Sequence, residues 1–138
     1  MPGEDLGTLP IVDAGAVHVI YGAPAGRGLN PWFVRAQFWT QNKAGIPERA
    51  EAGDLFGRAL TVGDFDVNGS FDLVIGVPGE SRGLATGTGE VITIYGGAGG
   101  GLNGLAPIRS QRFHQSGPGM PDTNEIGDGF GGALDNDD

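Results

Sequence analysis

Gly53-Asp54-Leu55-Phe56-Gly57, closed by Ala59-Leu60, returns 74 positions later as Gly127-Asp128-Gly129-Phe130-Gly131, closed by Ala133-Leu134. The match runs without gaps from Ala36–Leu60 onto Ser110–Leu134. Gln37 meets Gln111, Gly45 meets Gly119, Pro47 meets Pro121 and Glu51 meets Glu125. The same shift lays Gly15-Ala16-Val17 on Gly89-Glu90-Val91, and Tyr21-Gly22 on Tyr95-Gly96. Pro2-Gly3-Glu4 pairs with Pro78-Gly79-Glu80, with the loop two residues longer. An internal repeat of this kind decides the architecture before any single element is assigned.

The period is too long for a helical-hairpin repeat. The texture is one of short apolar runs bounded by Gly and Pro, which read as strands and turns. Candidate strands are Ala59–Gly63, Leu73–Val77, Val91–Tyr95 and Arg112–Gln115. Val and Ile crowd the second and third, as strands prefer. Apolar residues fall on both faces of these runs, which suits a sheet held between two others. Four antiparallel strands per repeat, stacked face to face, make a β-propeller blade. The predicted fold is therefore all-β, a partial propeller with no substantial helix.

The repeat divides the chain into 1–53, the end of one blade plus a linker; 54–126, a complete repeat; and 127–138, the start of the next. Residues 14–41 are expected to supply the last two strands of the first blade, and 54–116 all four of the second. A closed propeller takes at least about four blades. The expectation is thus a fragment of a longer protein, or a chain that assembles with copies of itself. The remaining blades would come in cis or in trans.

Composition narrows the class. Gly and Pro number 28 and 9 among 138 residues, which without a period would suggest low complexity. Leu, Ile, Val and Phe number 34, enough apolar material for a core. There is no Cys, hence no disulfide framework and no thiolate zinc site. Seventeen acids against eight bases give a net charge of −9, which argues against nucleic-acid binding and favours cations. No apolar run approaches the roughly 20 residues needed to span a bilayer. The acidic start, Met1-Pro2-Gly3-Glu4-Asp5, is no signal peptide.

The segment Asp64-Phe65-Asp66-Val67-Asn68-Gly69-Ser70-Phe71-Asp72 carries the chemistry. It places oxygen-bearing side chains at loop positions 1, 3, 5 and 9 and glycine at 6. Hard cations such as Ca²⁺ take six to eight oxygens, about 2.3–2.6 Å away, and a tight loop turns alternate side chains to one centre. Gly69 permits the positive φ such a turn requires. Asp64, Asp66, Asn68 and Asp72 are the side-chain ligand candidates, with the Ser70 carbonyl as a fifth. Phe65, Val67 and Phe71 are expected to anchor the loop on the blade. The EF-hand ends with Glu at position 12; here that position is Ile75, already in a strand. The other reading is a polar hairpin, since Asp, Asn and Gly are ordinary turn residues. Against it, no Lys or Arg lies between Arg58 and Arg82 to neutralise three convergent carboxylates. Mg²⁺ suits the loop less well, because it demands a tighter octahedron.

Gly53–Leu60, the Asp64–Asp72 loop and Asp72–Glu80 together resemble an FG-GAP repeat, the unit of integrin α-subunit propellers and of many secreted bacterial proteins. Phe56-Gly57 is the "FG" and Gly76-Val77-Pro78 the "GAP", with Val for the usual Ala. Gly22-Ala23-Pro24 spells the same word after a third strand and is coincidental. Gly15–Gly22 and Gly89–Gly96 resemble the family's third strand. The resemblance implies a seven-bladed ring with Ca²⁺ held in blade loops, here at Asp64, Asp66, Asn68, Ser70 and Asp72. The third repeat departs from the pattern: Asp135-Asn136-Asp137-Asp138 follows Ala133-Leu134, and no second loop site is assigned there.

Other motifs read as scaffold. Gly79-Glu80-Ser81-Arg82-Gly83 matches G-x-S-x-G, but a nucleophile elbow needs a helix next and a loop follows. Gly99-Gly100-Gly101-Leu102-Asn103-Gly104 matches G-x-G-x-x-G, again without a helix. Asn68-Gly69-Ser70 is a glycosylation sequon inside the metal loop, where a glycan would compete with coordination. Trp32, Phe33, Phe38 and Trp39 read as packing between blades. His18 and His114 fall in expected strands. The functional expectation is a non-catalytic, Ca²⁺-binding adhesion or binding module in an extracellular or cell-surface setting, its protein or glycan ligand unidentified. The alternatives are the propeller part of a larger secreted hydrolase, since some FG-GAP propellers are fused to phospholipases acting on glycolipid anchors, and a self-assembling structural repeat.

Overall fold

The computed structural model describes residues 1–8, 10–30, 36–97, 101–103 and 110–136. It is all-β. Strands β1 (Val17–Val19) and β2 (Gln37–Trp39) form a two-stranded antiparallel sheet. Strands β3 (Ala59–Gly63), β4 (Asp72–Val77), β5 (Glu90–Ile94) and β6 (Ser110–Phe113) form a four-stranded antiparallel meander in chain order. The sole helical element among the described residues is one 3₁₀ turn, Pro24–Gly26. No helix of the described residues is long and apolar enough to cross a membrane. The two sheets are partial propeller blades.

The first expected strand, Ala59–Gly63, matches β3; β4 starts one residue before the expected Leu73–Val77, and β5 lies one residue earlier at both ends than the expected Val91–Tyr95. The fourth is displaced: Arg112–Gln115 was expected, and β6 runs Ser110–Phe113. Register explains this. Ile94 faces Ser110 and Val91 faces Phe113, so pairing is used up at Phe113. The chain then turns, Gly117 N donating to His114 O at 2.9 Å, which leaves His114 outside the strand.

Period-2 patterning places the core. Across β4 and β5, Leu73 pairs with Ile94 and Ile75 with Ile92. These four and Val77 are buried in one cluster with Val17, Trp39, Phe56 and Leu102, so the core lies between the two sheets. The other face of β4 and β5 is covered too. A Cβ on Gly76 would overlap the Gly131 carbonyl, and one on Gly131 would meet the Val91 side chain at 2.9 Å. Burial on both faces is why these strands read as nearly continuous apolar runs.

The 74-residue repeat recurs in the hydrogen bonding. Gly15 bridges Phe56 in parallel, and Gly89 bridges Phe130 in the same way. Phe56 N donates to Ala14 O at 2.9 Å, and Phe130 N to Thr88 O at 3.0 Å. Gly15 N donates to Glu4 O at 2.9 Å, and Gly89 N to Glu80 O at 3.0 Å. Each Phe-Gly segment thus docks on the stretch of chain that leads into the preceding repeat's third strand, β1 or β5.

One tyrosine pair differs in what it holds. The Tyr21 hydroxyl donates to Gln37 Oε1 and accepts from Leu102 N at 2.7 Å, tying the two sheets together. The Tyr95 hydroxyl donates to Gln111 Oε1 at 2.8 Å, at an exposed site. Tyr21→Phe leaves the part-buried Leu102 N–H only its longer bond to Gln37 Oε1 at 3.3 Å and is expected to cost about 1 kcal/mol. Tyr95→Phe is expected to cost under about 0.5 kcal/mol. Urea denaturation of the two variants checks the difference; equal losses would refute it.

Candidate functional site

The acidic loop joins β3 to β4. Its carboxylates at Asp64, Asp66 and Asp72 offer oxygens that all lie within 4.8 Å of one another. Local geometry brings them there. Asp64 accepts from Asn68 N at 2.9 Å and from Gly69 N at 2.8 Å, closing the turn. Asp72, buried at the start of β4, accepts from Phe65 N at 2.8 Å and from Gly96 N at 2.9 Å. Asn68 Nδ2 donates to Asp66 Oδ2 at 2.8 Å, and Asn68 Oδ1 accepts from Ser70 N at 2.8 Å. Gly69 takes φ 83°, as a turn at this position requires, and Val67 also takes a positive φ of 57°. Asp64, Gly69, Ser70 and Phe71 line a small cavity of about 100 Å³.

The apolar residues of the loop are placed otherwise than expected. Phe71 is 74% exposed, Val67 87% and Phe65 48%. The φ of Val67 turns its side chain outward, and only the Phe65 ring packs back, over Gly63. The loop is held instead by carboxylate-to-backbone hydrogen bonds. No ion pair among the described residues reaches Asp64, Asp66 or Asp72. An all-oxygen donor set with unneutralised charge is the chemistry that a hard divalent cation requires.

A second acidic group was not singled out from the sequence. Glu51, Asp54 and Glu80 offer carboxylate oxygens within 4.8 Å of one another. Gly79 N donates to Asp54 O at 3.0 Å, which brings the β4–β5 connection over the Phe-Gly segment. Gln41 Nε2, arriving from the end of β2, donates to Glu80 Oε2 at 2.7 Å. Burial raises the Glu80 carboxyl from 4.5 to about 8, reinforced by the charges of Glu90 and Asp54. Burial raises Asp54 from 3.8 to about 6, against the hydrogen bond from Glu51 N. Burial also raises Glu90, against its partner Arg82 at 3.1 Å. The one available signal was the recurrence of Glu51 and Asp54 as Glu125 and Asp128. The Gln41–Glu80 contact spans 39 positions and has no local signature.

The remaining motifs take up scaffold positions. Ser81 sits in a turn, its Oγ accepting from Gly87 N at 3.3 Å, and no helix follows. Phe38 and Trp39 face opposite ways: Trp39 is in the core, while Phe38 is exposed with the His18 ring 4.6 Å away. Trp32, Phe33, Asp137 and Asp138 lie outside the described residues, as do Gly99, Gly100 and Gly104 of the glycine-rich motif.

A family model described as FG-GAP repeat matches residues 56–94, which run from the docked Phe-Gly through the acidic loop to the end of β5. The chain carries an FG-GAP repeat. The FG-GAP repeat is a non-catalytic repeat module. Over 89 residues, 64% of the chain, the sequence is 37% identical to phosphatidylinositol-glycan-specific phospholipase D of Mus musculus. The match covers 10% of that protein, so the chain spans about a tenth of its length. No solved structure matches the chain.

Proposed function

We propose that this chain is a Ca²⁺-binding segment of an FG-GAP β-propeller that serves as an extracellular binding or adhesion module, without chemistry of its own. The observation that carries the reading is the convergence of Asp64, Asp66 and Asp72 inside the matched repeat. In this reading Asp64, Asp66, Asn68 and Asp72 bind through side chains and Ser70 through its carbonyl. The ion neutralises the loop and fixes its shape, so that metal binding is part of folding. Extracellular calcium modules bind at about 10⁻⁴–10⁻³ M, because the external ion is plentiful. Segments 1–53, 54–126 and 127–138 are successive repeats, completed by further blades in cis or in trans. The ligand is a protein or a glycan recognised by the blade loops.

Calorimetric titration with Ca²⁺ is expected to show a saturable component that Asp66→Ala weakens at least about tenfold, the far-ultraviolet spectrum remaining native. Identical isotherms from two folded proteins would reduce the loop to an ordinary turn.

A second reading rests on the similarity to the mouse phospholipase D. Here the segment is the accessory propeller of a secreted hydrolase acting on phosphatidylinositol glycans, with the catalytic residues elsewhere in the protein. The gene product around this segment decides between them. A hydrolase domain beside it supports the second reading, and additional repeats alone support the first.

A further inference from the structure

Glu51, Asp54, Glu80 and Gln41 meet at the end of β4 opposite the acidic loop, where the two sheets abut. We propose that they form a second site for a hard divalent cation of calcium size, independent of the loop, which ties the linker and β2 end of one blade to the β4–β5 connection of the next. The donor geometry fits one ion. Two oxygens bound to the same Ca²⁺ lie at most about 5 Å apart, and the three carboxylate oxygens lie within 4.8 Å of one another.

Charge gives the second argument. Asp54 and Glu80 are 1% and 3% exposed. Arg82 is committed to Glu90 at 3.1 Å and Glu48 at 3.9 Å, and Arg112 pairs with Glu48. No ion pair among the described residues reaches Glu51, Asp54 or Glu80. Buried carboxylates are compensated by a bound proton or by a cation, and no side-chain cation among the described residues is at hand here.

An orphaned atom gives the third. Gln41 is 1% exposed, its amide lies against both Glu80 and Asp54, and its Oε1 is buried with no hydrogen-bond partner. A buried amide oxygen without a donor is an unmet acceptor, and amide oxygens are ordinary Ca²⁺ ligands. Part of the arrangement recurs among the described residues, at exposed acids and without a third convergent carboxylate. One repeat later stand Gln115, Glu125 and Asp128; Glu125 N donates to Asp128 Oδ2 at 2.6 Å, and Gln115 Oε1 is again buried without a partner. Glu51 is exposed and gives an ion a way in.

The test is calorimetric titration of the full chain, stripped with chelator, with CaCl₂. Wild type is expected to take up two ions per chain. Glu51→Gln, a surface change that leaves the loop intact, is expected to leave one, with the lost component weakened at least about tenfold. Asp66→Ala is expected to leave the other. If the loop reading alone fails, Asp66→Ala matches wild type and Glu51→Gln removes binding. The present proposal is overturned if Glu51→Gln titrates as wild type does, or if Asp66→Ala with a native circular dichroism spectrum takes up no calcium. Glu80→Gln provides a second variant with the same expected loss.

Discussion

Alanine at position 15 is expected to lower the unfolding free energy by about 3–5 kcal/mol and the midpoint temperature by about 10–15 °C. Gly15 takes φ +88°, a left-handed conformation that costs a non-glycine residue about 1–2 kcal/mol. Its Cβ would lie 2.5 Å from Phe56 N, and closer still to the Phe56 carbonyl oxygen. Backbone atoms cannot rotate out of the way as a side chain can. Phe56 is further pinned, its N–H bonded to Ala14 O at 2.9 Å and its ring fully buried. Relief therefore requires lifting the Phe-Gly segment off the neighbouring blade. That exposes a buried phenylalanine, a loss comparable to truncating it. Gly22→Ala is the control: a Cβ there meets nothing within 4 Å and the φ is not left-handed, so a change within about 0.5 kcal/mol is expected. Denaturation followed by the fluorescence of buried Trp39 measures both. Equal stabilities for the two variants would show that the seam does not depend on this close approach.

Stability in chelator is expected to fall as pH rises from about 4 to 8. The Glu80 carboxyl is raised in the folded protein to about 8, and that of Asp54 to about 6. The folded state therefore holds protons that the unfolded chain has already released. The stabilisation is fully present below the ordinary carboxylate range. It is lost as pH passes first through the folded value of Asp54 and then that of Glu80. Each extra proton held gives a slope of about 1.4 kcal/mol per pH unit. Between pH 6 and 8 the slope belongs to Glu80. Glu80→Gln, a neutral stand-in for the protonated acid, should flatten that limb and be the more stable protein at pH 8. Urea midpoints at pH 5, 6, 7 and 8 measure it. A wild-type profile flat from pH 6 to 8, superimposable on that of Glu80→Gln, would refute the assignment.

The sequence alone determined the repeat, the all-β class, the meander of four strands and the oxygen-rich loop. These are local properties. The near-continuous apolar runs Leu73–Val77 and Val91–Ile94, glycine at a turn, and Asp at alternate loop positions each act within a few residues of themselves. A 74-residue self-match carries them from one blade to the next. Strand ends were less legible, because where β6 stops depends on its pairing with β5, not on the preferences of Phe113 or His114.

Tertiary structure decided the rest. The exposure of Phe71 and Val67 follows from a loop closed by carboxylate-to-amide bonds rather than by apolar anchoring. Trp39 and its neighbour Phe38 differ because a strand sends adjacent side chains to opposite faces, and only the packing of the sheets says which face is covered. The cluster of Gln41, Glu51, Asp54 and Glu80 arises where two blades meet. Its raised carboxyls are a property of burial and mutual charge, which sequence spacing does not encode. Local chemistry wrote the blades, and only their stacking brought distant acids into one place.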